Sequence, residues 1–293
     1  VPVKALITGN EGFIGRHFER HLLEGGWEVY GADIADQADA RDVFRARGGP
    51  HYDLVIHAAA VVGGRSRIEW SPLSQAVNLE LDAALFGWAR HARPGRVIYF
   101  SSSAAYPVAM QGVSRHRRLK ESHIDLGAPA QPDALYGWMK LTGERLAALA
   151  RSEGVKVSVV RPFSGYGEDQ DADYPFRAFA ERARNREDPF AIWGNGQQVR
   201  DFVHADDIVA VVMAMVKGGI DGPVNIGHGE PVSMIELAGR FAVEAGYHPQ
   251  FRLQRDAPSG VSWRVCDPAR MLEICVPQVS LHEGIRRALA AGP

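Results

Sequence analysis

The chain has 293 residues, 46% of them apolar, enough to bury a large core in one domain or two intimately joined ones. A formal net charge of -2 offers no field for a polyanion, which argues against nucleic acid as a partner. The longest apolar run, Ile208 to Val216, is far short of the roughly 20 residues that cross a bilayer, so no membrane span is expected. Two cysteines, Cys266 and Cys275, supply neither a disulfide framework nor a metal cluster, so the expectation is no metal and a reducing, cytoplasmic setting. The sequence opens directly into a strand pattern, with no signal-peptide pattern ahead of it.

Apolar runs of strand length lie at Val3–Thr8, Trp27–Asp33, Leu54–Ala59, Arg96–Ser102 and Val155–Arg161. They are continuous rather than alternating, which predicts parallel strands covered on both faces. Between them, Leu73, Val77, Leu81, Leu85 and Trp88 mark one helical face, and Leu135, Met139, Leu146 and Leu149 approximate another. The fold class is therefore α/β, a doubly wound parallel sheet of Rossmann type with a smaller C-terminal domain. Residues 1–165 would form the sheet domain, with 201–227 returning to it, while 166–200 and 228–293 would form the second domain, which the motifs below make the substrate-binding one. After Pro162 a helix is expected near Asp206–Val216, then the strand Val224–Gly227 and a helix from Ser233. Asp206 and Asp207 read as caps of the first of these helices.

The first strand runs into Thr8-Gly9-Asn10-Glu11-Gly12-Phe13-Ile14-Gly15 and then into helical periodicity. Gly9 permits a tight turn, Gly12 admits a pyrophosphate to the backbone, and Gly15 lets the helix pack closely. The positive end of the helix then faces the phosphates. Asp33, about twenty residues on, would accept hydrogen bonds from both adenosine ribose hydroxyls and repel a 2′-phosphate, which selects NAD over NADP. Tyr136 and Lys140 form YxxxK, one helical turn apart on one face, where an ammonium would help a phenol act as a base.

These motifs resemble the extended, nucleotide-sugar-modifying branch of the short-chain dehydrogenase/reductases, through TGxxGFIG, YxxxK, and Ser101-Ser102-Ser103 with Tyr106-Pro107. The resemblance implies Ser102, Tyr136 and Lys140 as catalytic residues, with Ser103 the neighbour that a one-residue shift would promote. It implies NAD contacts from Gly9, Gly12, Phe13, Ile14, Gly15, Asp33, Asp39, Ala40, Ala58, Ala59, Ala60, Ser101 and Pro162. Asn78 would steady the active-site helix beside the cofactor, and His57 is read as structural. Arg161-Pro162-Phe163-Ser164-Gly165-Tyr166-Gly167 is similar to RPFNxYG, with Ser164 in place of the substrate-contacting asparagine. Trp193 to His204 resembles a GDGxQxRDFxH block in which Arg200 binds a diphosphate. Arg255 or Arg264 would supply a second phosphate contact. The basic run Arg115-His116-Arg117-Arg118 with Lys120 reads as a solvated loop, with a lid over the nucleotide as the alternative.

In that branch NAD removes hydride from sugar C4 while the tyrosine takes the hydroxyl proton. Sugar 4,6-dehydratases carry an acid after the catalytic hydroxyl, where this chain has Ser103-Ala104. Similarity also reaches GDP-mannose 3,5-epimerase and GDP-fucose synthase through Ala60-Val61-Val62-Gly63-Gly64, yet Ala104 stands where those carry a cysteine. Two fates of the transient ketone remain, C4 epimerisation first and 4-keto-sugar reduction second. A silent dinucleotide sensor is a different class, and such chains typically lack the tyrosine or lysine present here. The expected partners are a nucleotide-diphospho-sugar and a second copy in a homodimer.

Overall fold

The computed structural model describes residues 3–46, 49–63, 65–112 and 116–292. Gly64 and Arg115 of the motifs above lie outside them. Six parallel strands form the central sheet: β1 (Lys4–Thr8), β2 (Glu28–Ala32), β3 (Leu54–His57), β4 (Val97–Phe100), β5 (Val157–Pro162) and β6 (Gly222–Ile226). Their spatial order is β2-β1-β3-β4-β5-β6. The chain therefore reverses direction across the sheet at β1, and a crevice opens beyond the carboxyl ends of β1 and β3. Register places Thr8 beside both Ala32 and His57, so Gly9, Asp33 and Ala58 emerge together at that edge.

Each strand is apolar throughout because both faces are covered. Ala5 and Ile7 pack with Phe18 and Leu22 of α1 (Phe13–Glu24) on one side. Leu6 packs on the other with Leu85 and Phe86 of a helix described below. Complete burial of a side chain such as Phe18 or Leu22 contributes about 1.5–3 kcal/mol. The remaining helices are α2 (Ala40–Arg45), α3 (Arg65–Trp70), α4 (Val77–Ala92), α5 (Ala134–Ser152), α6 (Pro175–Arg184), α7 (Ala205–Gly218), α8 (Met234–Glu244), α9 (Ala269–Leu272) and α10 (Leu281–Ala290). Among the described residues, no helix is long and apolar enough to cross a membrane. A separate apolar core joins Phe176 and Phe179 of α6, Phe190 and Ile192, Phe241 of α8 and Ile285 of α10.

Several details differ from the sequence pattern. Leu73 does not extend α4: Pro72 starts a short 3-10 turn, Pro72–Gln75, and Leu73 is exposed there. In α5 the buried residues are Gly137, Met139, Lys140, Leu141, Gly143, Glu144, Ala147 and Ala150, whereas Leu135 and Leu149 are exposed. Small and charged residues stand beside Leu141 there because the helix lies so close to the sheet that a Cβ on Gly143 would collide with the Tyr99 hydroxyl. The cap of α7 is His204, whose ring accepts from Asp206 N, rather than either aspartate. Asp207 is buried and accepts from Gln278 N and Val279 N at 2.7 and 3.0 Å. In the C-terminal segment, Met271 of α9 belongs to the core of the sheet, where it packs near β6 rather than with the second core.

A charged clasp joins α1 to the loop after β5. Arg16 Nη2 donates to Asp169 Oδ2 at 3.0 Å, His17 Nε2 lies 3.0 Å from Asp169 Oδ1, and His17 Nδ1 lies 3.3 Å from Asp206 Oδ1. Burial favours neutral His17, but its two carboxylate partners outweigh that and raise its pKa from 6.5 to about 9. Because the folded value is raised, the stabilisation is fully present below about pH 6.5 and is lost as pH rises through about 9. Urea midpoints measured between pH 6 and 10 should show this alkaline loss in the wild type and a weaker one in His17→Gln. Parallel curves for the two proteins would refute the assignment.

Candidate active site

A cleft of about 860 Å³ lies along the carboxyl edge of the sheet, between it and the second core. Its floor begins at the glycine turn. Gly9 has φ +75°, and a Cβ there would sit 2.6 Å from Ala59 N. A Cβ on Gly15 would collide with Gly9 O, so both glycines are sterically required. Gly12 is the N-cap of α1, with no side chain capping the helix and no acid in its first turn. The first-turn N–H groups are thus left for an anion in the cleft. Asp33, at the end of β2, accepts from Ala35 N at 2.9 Å and Glu11 N at 3.2 Å, which fixes its carboxylate at the rim. This cradle suits the pyrophosphate and ribose of a dinucleotide.

Asp39 and Ala40 also line the cleft, but Asp39 is held by its own helix: its carboxylate caps α2 and pairs with Arg41 at 2.6 Å. Those hydrogen bonds from Arg41 lower its pKa. Asn78 is a correction. It does not line the cleft, because its buried amide clamps Val61 from both sides, accepting from Val61 N at 2.7 Å and donating to Val61 O at 3.0 Å. It thus holds the turn that carries Ala58, Ala59 and Ala60 past the cleft. His57 lies beneath that turn, 2.8 Å from Thr8 Oγ1 and 3.4 Å from Asp82, stacked on Tyr99.

The chemical centre stands at the ends of β4 and α5. Ser102 caps the 3-10 turn Ser103–Ala105, its Oγ accepting from Ala104 N at 3.1 Å. A Cβ on Gly137 would collide with Ala104 O, so this turn and the first turn of α5 are in close contact. Ser101, Ser102, Ser103, Tyr136 and Lys140 all line the same cleft. Lys140 is buried, donates from Nζ to Phe100 O at 2.8 Å, and lies 5.9 Å from the centre of the Tyr136 ring. Burial lowers its pKa.

Burial likewise pushes Tyr136 up to about 12, against the hydrogen-bonding pull of Ser102, with Asp82 adding to the rise. The sequence pattern makes the phenol a poor base until an ammonium and the nicotinamide charge both stand beside it, and burial shifts it further in that direction.

The opposite wall carries Pro162, Ser164, Arg200 and Arg264. Arg200 donates to the carbonyls of Val199, Val261 and Ser259. Arg264 is anchored to Asp133 Oδ2 and Gln111 Oε1, each at 2.6 Å, while Arg255 is exposed and outside the cleft. None of the described residues of the basic run lines it. Arg118–Leu119 instead forms a strand beside Trp263–Cys266, and Arg117 O accepts from Trp263 Nε1. Sequence reasoning missed Gln75, Arg41 and Asp133, all lining the cleft. Asp133 had a signal: it stands three residues before Tyr136, at the N-cap of α5.

A glycine cradle at a switch point, with tyrosine, lysine and serine converging beside it, defines a Rossmann-like, dinucleotide-dependent enzyme fold. The NAD dependent epimerase/dehydratase family matches residues 5–227, and the chain belongs to that family. NAD is its cofactor. A curated relative, dTDP-4-dehydro-6-deoxy-D-allose reductase of a Streptomyces species, is 29% identical, with 92% of this chain and 89% of the relative covered. A putative UDP-glucose 4-epimerase of Methanocaldococcus jannaschii is 26% identical over 97% and 96% of the two chains. Among solved structures, UDP-glucose 4-epimerase of Thermus thermophilus in complex with NAD has a TM-score of 0.83 at 24% identity, over 98% of each chain. That last likeness concerns the fold.

Proposed function

We propose that the protein is an NAD-dependent nucleotide-sugar epimerase acting at sugar C4 through a transient 4-keto intermediate. NAD, when bound, supplies a hydride acceptor and a positive charge. Tyr136 Oη takes the proton of the C4 hydroxyl and later returns it to the oxygen of the ketone. Ser102 Oγ orients that oxygen and passes its proton towards Tyr136. Lys140 holds its ammonium beneath the tyrosine, which favours the phenolate once the site is charged. Arg200 and Arg264 are assigned to the substrate diphosphate, their planar guanidinium groups matching phosphate oxygens. Ser103 and Ser164 are assigned to the sugar.

The observation that carries epimerisation over net reduction is the Asp33 carboxylate, held at the rim of the cleft by Ala35 N and Glu11 N, where it disfavours a ribose 2′-phosphate. A preference for NAD over NADPH suits an enzyme that regenerates its cofactor within each cycle. Ser103 and Ala104, standing where a dehydratase acid would be needed, argue against dehydration and leave epimerisation and reduction as the alternatives. A second reading, reduction of a 4-keto sugar, is favoured by the likeness to the Streptomyces reductase over nearly the whole chain.

The test is to add UDP-, GDP-, CDP- and dTDP-hexoses in turn to NAD-loaded protein without reductant. A transient absorbance of reduced nicotinamide and a new epimer are expected with at least one of them. No absorbance and no new sugar with any would reject the proposal.

A further inference from the structure

Gln75 ends the 3-10 turn that feeds α4, and its side chain is fully buried while lining the cleft. Neither its Oε1 nor its Nε2 has a hydrogen-bond partner among the described residues. Three residues on, Asn78 satisfies the same kind of amide on Val61, so an unpaired amide is not the habit of this segment. A buried carboxamide without a partner is unfavourable, and such a group persists where something else satisfies it.

Its level in the fold shows what that something is. β3, β4 and β5 are parallel, so α4 and α5, which return the chain between them, run in the same direction. A Cβ on Gly143 of α5 would collide with Asp82 of α4, so these two positions are level. Seven residues earlier in the chain on each side come Gln75, in the 3-10 turn just ahead of α4, and Tyr136, in the first turn of α5. The 3-10 turn of Gln75 also packs on α5. Val61, Val62, Ile68, Val77 and Leu81, its neighbours in sequence or on the same segments, also line the cleft and offer no hydrogen-bonding side chain.

We infer that Gln75 is a specificity-determining residue that hydrogen-bonds a substituent of the sugar held beside Tyr136. This rests on the nucleotide-sugar reading above. A carboxamide both donates and accepts, so the matching group is one that does the same, a hydroxyl or an acetamido group. A site built to pair with such a group discriminates strongly against ligands that lack it.

The test compares wild type with Gln75→Leu, both loaded with NAD, by calorimetric titration. The probes are the nucleoside diphosphates UDP, GDP and dTDP and their glucose or N-acetylglucosamine derivatives. In the wild type the sugar should tighten binding over the bare diphosphate for at least one base. In Gln75→Leu that gain should shrink at least tenfold, while binding of the diphosphate and of NAD stays within twofold. The thermal midpoint of ligand-free Gln75→Leu should equal or exceed that of wild type, because an unpaired amide has been replaced by an apolar side chain of similar size. An unchanged sugar gain would overturn the inference. So would a lower midpoint with all three ligands weakened together, which is the signature of an amide held by structural water. Absence of any sugar gain in the wild type would instead remove the nucleotide-sugar reading, and this inference with it.

Discussion

Tyr136→Phe is expected to leave NAD binding nearly intact and to lower turnover by about two to four orders of magnitude, the usual contribution of a positioned proton acceptor. Phenylalanine keeps the ring that faces Lys140 and removes only the hydroxyl beside Ser102. A sugar proton then has no phenolate to go to, and the Lys140 ammonium, which donates to Phe100 O, has no lone pair to take it. NAD affinity by titration and single-turnover rates with the best nucleotide sugar would check both halves. A rate within threefold of wild type would mean that another group moves the proton.

Glu144→Leu is expected to destabilise the protein by roughly 3–5 kcal/mol, because it strands a buried guanidinium. Arg161 Nη2 and Nε meet the Glu144 carboxylate at 2.6 and 2.8 Å, and both side chains are only 2% exposed. Ser101 Oγ donates to the same carboxylate at 2.5 Å, so the pair also fixes the end of β4 where the catalytic serines stand. Replacing both partners, Glu144→Leu with Arg161→Met, should recover much of the loss, since an apolar pair avoids the desolvation of two charges. Urea denaturation of the single and double variants measures the difference. A single variant within 1 kcal/mol of wild type would show that water or a neighbour compensates Arg161.

The central sheet was legible because its strands are buried on both faces, which leaves continuous apolar runs that match β1 to β5 within a few residues. The glycine turn was legible because Gly9 and Gly15 are sterically required. Helix faces were less so. On α5 close packing sets glycine, alanine and a buried ion pair beside Leu141, a pattern that hydrophobic periodicity cannot detect. The site residues named from motifs line one cleft except Asn78, whose amide is committed to Val61, and Arg255, the exposed alternative to Arg264. Gln75 left no trace in the sequence, since what distinguishes it is the absence of any partner in three dimensions. The further rise of the Tyr136 pKa was likewise hidden, because burial of the phenol depends on the whole wall around it.

In the proposed cycle the hydride that leaves sugar C4 comes back to the same carbon, the bound cofactor supplying only its temporary acceptor. Nucleotide sugar carrying deuterium at C4 should therefore give the C4 epimer with the label still at C4 and no reductant added. Product that forms only with stoichiometric NADH or NADPH would contradict this cycle and assign the protein to 4-keto-sugar reduction.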